Sequence, residues 1–248
     1  MANITWSTTN KAATITLTNG NLTATNGIGA NAGVMGTSGQ ASGKYYWEVT
    51  LADTPSVNTR VGAAQNYKTA TYGGAAYINA NATTVDYNIN SVTLASPAVT
   101  LGAGSVLCFA LDFDNKMIWF RVGTGNWNNS GTADPATNTG GYSLAALLTG
   151  AAQGISLLPF LMLSGSNHAA TANFGDTAFS SAVPSGFTAG IPDNGVNNAL
   201  VTQEAAEVWS ASYPANAQFT QIAVEVWRSV EDVIPPPSTG GVMVMMLS

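Results

Sequence analysis

Charged residues make up only 8% of this 248-residue chain, with 7 Lys and Arg against 13 Asp and Glu and a net charge of −6. A typical soluble protein has about 25%. So few basic residues cannot easily form the patch that binds nucleic acid or an anionic membrane surface. Hydrophobic residues make up 46% of the chain, which argues against disorder, and no apolar run approaches the length of a membrane span. The composition predicts a folded protein with a neutral polar surface.

The N-terminal three quarters of the chain reads as short β-strands separated by Gly and Asn turns. No basic stretch followed by an apolar run opens it, so no signal peptide is expected. One short helix is expected in residues 143–152, where three leucines share a face. Many short strands indicate a β-sandwich or barrel. The predicted strands are residues 13–18, 44–51, 61–64, 105–111, 117–122, 157–163 and 170–174.

Two segments look like long loops, residues 66–84 and 123–141. Long loops on a rigid scaffold are where binding usually resides, and aromatic rings next to amides suit a sugar face or a peptide. The alternative is that the rings pin these loops onto the sandwich. The predicted ligand-binding residues are Tyr67, Tyr72, Tyr77 and Trp127, whereas the predicted core aromatics are Trp47, Trp119 and Phe174.

A short repeat follows the predicted sandwich. TQEAAEVW at 202–209 and TQIAVEVW at 220–227 share six of eight residues at a spacing of 18. The second copy alternates apolar and polar residues, which predicts a strand, and the shared sequence predicts the same for the first copy. We expect this appendage to anchor against the sandwich or a neighbouring subunit. The predicted anchoring residues are Trp209, Trp227, Ile222, Val224 and Val226.

The chain ends in three prolines at 235–237, a flexible Ser-Thr-Gly-Gly stretch and the apolar run VMVMML at 242–247. Such a run would be prone to aggregation if exposed, so we expect it to be buried against a partner chain, which implies an oligomer. The predicted organisation is a sandwich over 1–187, a linker over 188–199, the repeat segment over 200–231 and the tail over 232–248.

No catalytic, cofactor or metal site is predicted. Glycoside hydrolysis would need a pair of carboxylates, for which Glu48, Asp112 and Asp114 are candidates, but the two aspartates flank a predicted hairpin turn. A calcium loop starting at Asp112 would lack the required Gly and Glu. The single cysteine, Cys108, lies in an apolar run and is expected to be buried, and the single histidine, His168, is expected to be an exposed turn residue.

Six segments in the same order resemble those of the SPRY domain family, over about residues 3–185. The resemblance implies a concanavalin-like antiparallel sandwich that acts by binding and is not an enzyme. Two positions depart from the family pattern, Ser105 in place of Asp and 123–125 in place of Asn-Gly, and neither is a core position. The segments are GKYYWEV at 43–49, RVGAA at 60–64, GSVLCFALDFD at 104–114, MIWF at 117–120, LPF at 158–160 and ANFG at 172–175.

The C-terminal repeat resembles the TQxxxEVL segments of bacteriophage virion proteins. Together the two resemblances imply a virion structural or binding protein, such as a tail-fibre, spike or head-decoration component. Its expected partners are other virion proteins, sister chains and host-surface polysaccharide, with no nucleic acid and no membrane insertion. Two rival interpretations remain open: a carbohydrate-active enzyme built on the same sandwich, and a cellular SPRY adaptor.

Overall fold

The computed structural model describes residues 2–55, 58–65, 74–148 and 156–194. The predicted repeat segment and tail, with all five predicted anchoring residues, lie outside these residues, as do Tyr67 and Tyr72.

The described residues form fifteen strands and three short helical turns. The helical turns are two 3-10 helices at Trp127–Asn129 and Pro135–Thr137 and one α-helix, α1, at Ala145–Leu148. The strands are β1 (Trp6–Lys11), β2 (Ile15–Thr18), β3 (Thr23–Asn26), β4 (Ala32–Gly36), β5 (Lys44–Leu51), β6 (Thr59–Ala64), β7 (Ala75–Ala80), β8 (Val85–Ile89), β9 (Val92–Ala95), β10 (Val106–Asp112), β11 (Met117–Val122), β12 (Tyr142–Ser143), β13 (Leu158–Leu163), β14 (Ala169–Asn173) and β15 (Thr188–Ala189).

The strands form two sheets. The seven-stranded sheet has the order β1-β4-β13-β6-β7-β8-β9, and the eight-stranded sheet has the order β12-β11-β10-β5-β14-β3-β2, with β15 beside β5. Neighbours along both orders pair antiparallel, whereas β15 pairs parallel with β5. One hydrophobic core takes side chains from both sheets, and the rings of Tyr87 on β8 and Phe120 on β11 lie 5.5 Å apart across it. The predicted all-β antiparallel sandwich is confirmed.

The side chains of β5 alternate between the two faces of the sheet, and this alternation shows how the core is built. Trp47 and Val49 point into the space between the sheets, and Trp47 stacks on Phe109 with ring centroids 5.0 Å apart. Tyr46, the residue before Trp47, points to the opposite face of the sheet. The predicted core aromatics Trp47, Trp119 and Phe174 are all fully buried, although Trp119 belongs to a separate cluster on the outer face of its sheet.

Several strands do not follow the predicted pattern. The prediction of a long loop over 66–84 is wrong for residues 75–80, which form β7. Strands β1, β3 and β4 were not predicted, because small and polar residues dominate them. Strands β8 (VDYNI) and β9 (VTLA) were also not predicted, although their apolar residues alternate. Thr188 and Ala189, at the start of the predicted linker, form β15, which pairs with β5. A separate isolated bridge joins Pro192 to Asn3. The short helix predicted in 143–152 is confirmed as α1.

Gly62 on β6 lies between two aromatic residues on the outer face of the seven-stranded sheet. It pairs with Phe160 on one side and with Tyr77 on the other. The two rings approach edge to face across it, with centroids 6.1 Å apart. A Cβ at this position would overlap the carbonyl oxygen of Ala76 and lie 2.7 Å from the Cα of Tyr77. Only glycine therefore permits this spacing of β6 and β7.

We expect Gly62→Ala to lower the free energy of unfolding by about 1–3 kcal/mol, because the added methyl group has no space between two paired strands. Thermal unfolding would show a loss of about 2–4 °C in Tm for each kcal/mol. The matched control is Gly29→Ala, since no atom lies within 4 Å of a Cβ built there. Equal Tm values for the two variants would contradict the predicted steric clash between a side chain at position 62 and β7.

Candidate functional site

We call one end of the sandwich the loop end and define it by five of the connections that meet there. Backbone hydrogen bonds join them to each other and to the strand ends: Ala52 N donates to Ala169 O at 3.0 Å, and Leu101 N donates to Ala82 O at 2.9 Å. Gly104 N donates to Leu51 O at 2.8 Å. The loop end consists of residues 27–31, 52–55, 81–84, 96–105 and 164–168.

The first and last described residues lie at the opposite end of the sandwich. Ile4 N donates to Ile191 O at 3.0 Å, and Asp193 N donates to Ala2 O at 2.9 Å. Asn194 Nδ2 donates to the carbonyl of Gly39, which belongs to the connection that enters β5. The chain therefore enters and leaves the described sandwich side by side, away from the loop end.

Asn26, fully buried at the end of β3, holds two of the loop-end connections together. Its Nδ2 donates to Ala30 O at 2.7 Å and to Leu163 O at 3.1 Å, and its Oδ1 accepts from Ile28 N at 3.2 Å. Its own carbonyl accepts from Asn167 N at 2.7 Å. One side chain thus fixes the β3–β4 connection and the β13–β14 hairpin relative to each other.

Asp53 provides a second tie at the loop end. One carboxylate oxygen accepts from Ala169 N at 3.1 Å, and the other is hydrogen-bonded to Nδ1 of His168. The prediction that His168 is an exposed turn residue is wrong, because this pairing leaves its side chain only 23% exposed. The contact joins the β5–β6 connection to the β13–β14 hairpin, so the loop end is held by side chains as well as by the backbone.

The surface of the loop end is small and neutral. Its described residues are mainly Gly, Ala, Ser, Thr and Asn, with Asp53 and His168 as the ionisable ones and no aromatic residue. Ile28 stands out because its side chain is 44% exposed, on a loop between Gly27 and Gly29. This end therefore presents an apolar side chain on a rigid base, surrounded by uncharged groups.

The two predicted ligand-binding aromatics that the structure describes are not brought together, and neither lies at the loop end. Tyr77 is 4% exposed on the outer face of the seven-stranded sheet. Trp127 is 8% exposed on the outer face of the other sheet, where the Arg121 guanidinium carbon lies 4.1 Å from its ring centroid. This burial favours the alternative that the rings pin polypeptide onto the sheets. A ligand-binding role for the four aromatic residues stays a prediction.

A strap formed by residues 176–187 crosses the outer face of the eight-stranded sheet and is held by Glu48. The Glu48 carboxylate, nearly fully buried, accepts from Tyr46 Oη at 2.6 Å and from the backbone amides of Ser180 and Ser181, each at 2.9 Å. The Phe179 ring packs on the Tyr46 ring at 4.9 Å between centroids. Four donors in all surround this carboxylate, because Ser180 Oγ adds another at 2.8 Å.

Cys108 lies below the strap, next to this network. Its thiol is fully buried, as predicted, and its Sγ is 3.8 Å from Ser181 Oγ. Burial raises the pKa of the Cys108 thiol, so the reactive thiolate is disfavoured. The side chain is therefore a packing residue in this cluster.

The other two candidate carboxylates, those of Asp112 and Asp114, also accept hydrogen bonds from neighbouring residues of the fold. Asp112 is fully buried and accepts from Lys44 Nζ at 2.8 Å and from the backbone and side-chain nitrogens of Asn115 at 2.9 and 2.7 Å. Burial raises the pKa of Asp112, but the hydrogen bonds from Lys44 and Asn115 outweigh it, so the pKa lies below its usual value. Asp114 accepts from Gly43 N at 2.9 Å. Both aspartates close the β10–β11 hairpin onto β5.

The described residues contain no group of three or more His, Cys, Asp or Glu placed to hold a metal ion. Within the same ranges no helix has the length and apolar character needed to cross a bilayer.

No protein-family model matches the sequence, and no curated protein matches it. Solved structures similar to this chain include the SPRY domain of human HERC1, at 14% identity and a TM-score of 0.46 over 70% of this chain and 99% of that one. They also include the PSpry domain of TRIM65, at 14% identity and a TM-score of 0.49 over 69% of this chain and 92% of that one.

We expect Asn26→Ala to loosen the loop end, because the Ala30 and Leu163 carbonyls lose their donor. Leaving buried polar groups unpaired costs about 1–3 kcal/mol. Hydrogen exchange should become faster at residues 27–31 and 164–168 while exchange in β5 and β10 changes less. The control is Asn31→Ala, an exposed residue of the same connection. Unchanged exchange at both segments would show that Asn26 does not tie them.

We expect Glu48→Gln to weaken the strap, because one carboxylate oxygen becomes an NH2 group that faces donors. Hydrogen bonds to a charged group contribute about 1.5–3 kcal/mol, so losing one should raise the equilibrium constant for opening of the strap roughly tenfold or more. The measurement is the rate at which a maleimide labels Cys108 under native conditions, with the free energy of unfolding measured alongside. Asp176→Asn, at an exposed carboxylate, is the control. Equal labelling rates in all three proteins would contradict the role of Glu48.

Proposed function

We propose that the chain is a binding component of a bacteriophage particle. In this proposal the loop end is the recognition surface, and the residues after the sandwich attach the protein to the particle. The virion assignment is supported by the resemblance of the repeat at 202–209 and 220–227 to segments of virion proteins.

The observation that carries the binding role is the opposite placement of the loop end and the chain ends. Residues 2–4 and 191–194 are hydrogen-bonded to each other at one end of the sandwich, and the five connections meet at the other. A sandwich held through the chain that follows Asn194 would leave the loop end free to contact a partner. The ties made by Asn26 and Asp53 keep that surface ordered before binding, which lowers the entropic cost of association.

The chemistry of the loop end favours a protein as the partner. An exposed Ile28 on a neutral rim suits an apolar pocket of a neighbouring protein. Recognition of a sugar usually involves an exposed aromatic ring, and the described loop end has none. Host-surface polysaccharide is therefore the second choice of ligand.

A hydrolytic role has less support from the geometry. Glu48 and Asp112 are buried with their oxygens occupied by several donors each, and Asp114 is hydrogen-bonded to a backbone amide. A general acid or a nucleophile must reach the substrate, so these carboxylates are poorly placed for glycosidic bond cleavage.

The test is made on particles of the phage that encodes the chain. Mass spectrometry should find the protein in purified particles, and its absence from them would contradict the proposal. We expect Ile28→Asp to reduce either incorporation into particles or adsorption to host cells by about tenfold, because an acid replaces the apolar contact. Val92→Asp, at a 59% exposed valine of β9, is the matched control.

Each readout separates the alternatives. Normal incorporation and adsorption with Ile28→Asp would exclude the loop end as the binding surface. Release of reducing ends from host polysaccharide, lost with Asp112→Asn, would instead favour the enzyme. Binding to a glycan array that Ile28→Asp abolishes would favour polysaccharide over protein.

A further inference from the structure

The chain contains three Asn-Gly pairs, at 19–20, 26–27 and 194–195, and the structure places the first two in opposite environments. Asn19 and Gly20 are exposed in the turn between β2 and β3, whereas Asn26 at the end of β3 is fully buried. An asparagine side chain is most open to attack by the next backbone nitrogen when that residue is glycine, because glycine has no Cβ to hinder the approach. The two environments therefore predict different chemical fates for the same pair of residues.

We propose that Asn19 is a site of spontaneous deamidation in the folded protein, whereas Asn26 is protected. The backbone nitrogen of Gly20 attacks Cγ of Asn19, the bond from Cγ to Nδ2 breaks, and a succinimide ring forms. The proton lost by the Gly20 nitrogen is balanced by one taken up by the leaving NH2 group, which departs as ammonia. Water then opens the ring at either carbonyl and gives aspartate or isoaspartate, each with one additional negative charge.

The turn leaves both reacting groups of the first pair accessible. Leu22 N donates to Asn19 O at 3.1 Å, and Gly20 and Asn21 have φ angles of 62° and 64°, the geometry of a tight hairpin turn. Across the described residues, the Asn19 side chain and the Gly20 amide have no hydrogen-bond partner. No residue beyond its chain neighbours lies within 4 Å of a Cβ built on Gly20. The ring can therefore close without first breaking a hydrogen bond of either reacting group.

Hydrogen bonds hold every reacting group of the second pair. Asn26 Nδ2 donates to two backbone carbonyls, and its Oδ1 accepts from Ile28 N at 3.2 Å. The nitrogen that would attack, Gly27 N, donates to Thr14 O at 3.0 Å. Deamidation here requires local opening of the β3–β4 connection, so its rate is reduced to the fraction of molecules in which that connection is open.

Isoaspartate at position 19 lengthens the backbone of a turn that two other strands hold in place. Asn21 O accepts from Trp6 N of β1 at 2.9 Å, and Leu22 O accepts from Ala172 N of β14 at 2.9 Å. An additional backbone carbon before these carbonyls disturbs the register between β2 and β3. We expect hydrogen exchange at Trp6 and Ala172 to be severalfold faster in the isoaspartate form, with little change in β10 and β11.

The test is peptide mapping of the full chain after incubation in mildly alkaline buffer. Chymotrypsin can cut after Leu22, between the two pairs, and the aspartate and isoaspartate products are then separated and quantified. Conversion at residue 19 should be at least about tenfold faster than at residue 26, because only the second site must open first. In denaturant the two rates should become similar, which would assign the difference to the fold.

Asn19→Gln is the matched control, since it keeps the amide but would require a larger ring. It should remove the isoaspartate product at residue 19 and leave conversion at residue 26 unchanged. Equal conversion at residues 19 and 26 in the folded protein would overturn the proposal. Conversion at residue 19 that is far slower than in a synthetic peptide of residues 16–23 would also overturn it, because the turn would then protect Asn19.

Discussion

The burial of both faces of β5 is the constraint on which the rest of the structure depends. Its inward side chains form the core with β10 and the opposite sheet, while Tyr46 and Glu48 on its outward side lie beneath the strap and the 123–141 connection. A carboxylate on a strand that is buried on both faces needs hydrogen-bond donors, because an unpaired buried charge costs free energy. Glu48 accepts hydrogen bonds from two strap amides, which attaches the outer layer to this strand.

Several of the few charged residues are used to hold the fold together. Glu48, Asp112 and Arg60 are all buried. Glu48 holds the strap, Asp112 pairs with Lys44 of β5, and Arg60 contacts Met162 of β13. Much of the small set of ionisable groups thus serves the fold. The exposed surface is left to Thr, Ser, Asn and Gly, which gives weak mutual repulsion between copies brought close together.

The sequence allowed the sandwich class and the strands at its centre to be predicted, but only part of the candidate site. The β10–β11 hairpin and β5 were predictable because their apolar residues alternate strongly. β4 reads AGVMG and β1 is rich in Thr, so both gain their place through long-range pairing, whereas β3 also forms a local hairpin with β2. The tie between Asp53 and His168 joins residues 115 apart in the chain, so no local pattern indicates it. Tyr77 was predicted to lie in a loop because the Gly and Ala residues around it give no strand pattern. The strand it belongs to, β7, pairs closely with β6 because Gly62 lies opposite Tyr77.

Residues 2–4 and 191–194 run side by side, which affects how the sandwich can be joined to other polypeptide. A folded unit whose entry and exit are hydrogen-bonded neighbours can be spliced into a surface turn of another protein with little distortion of its host.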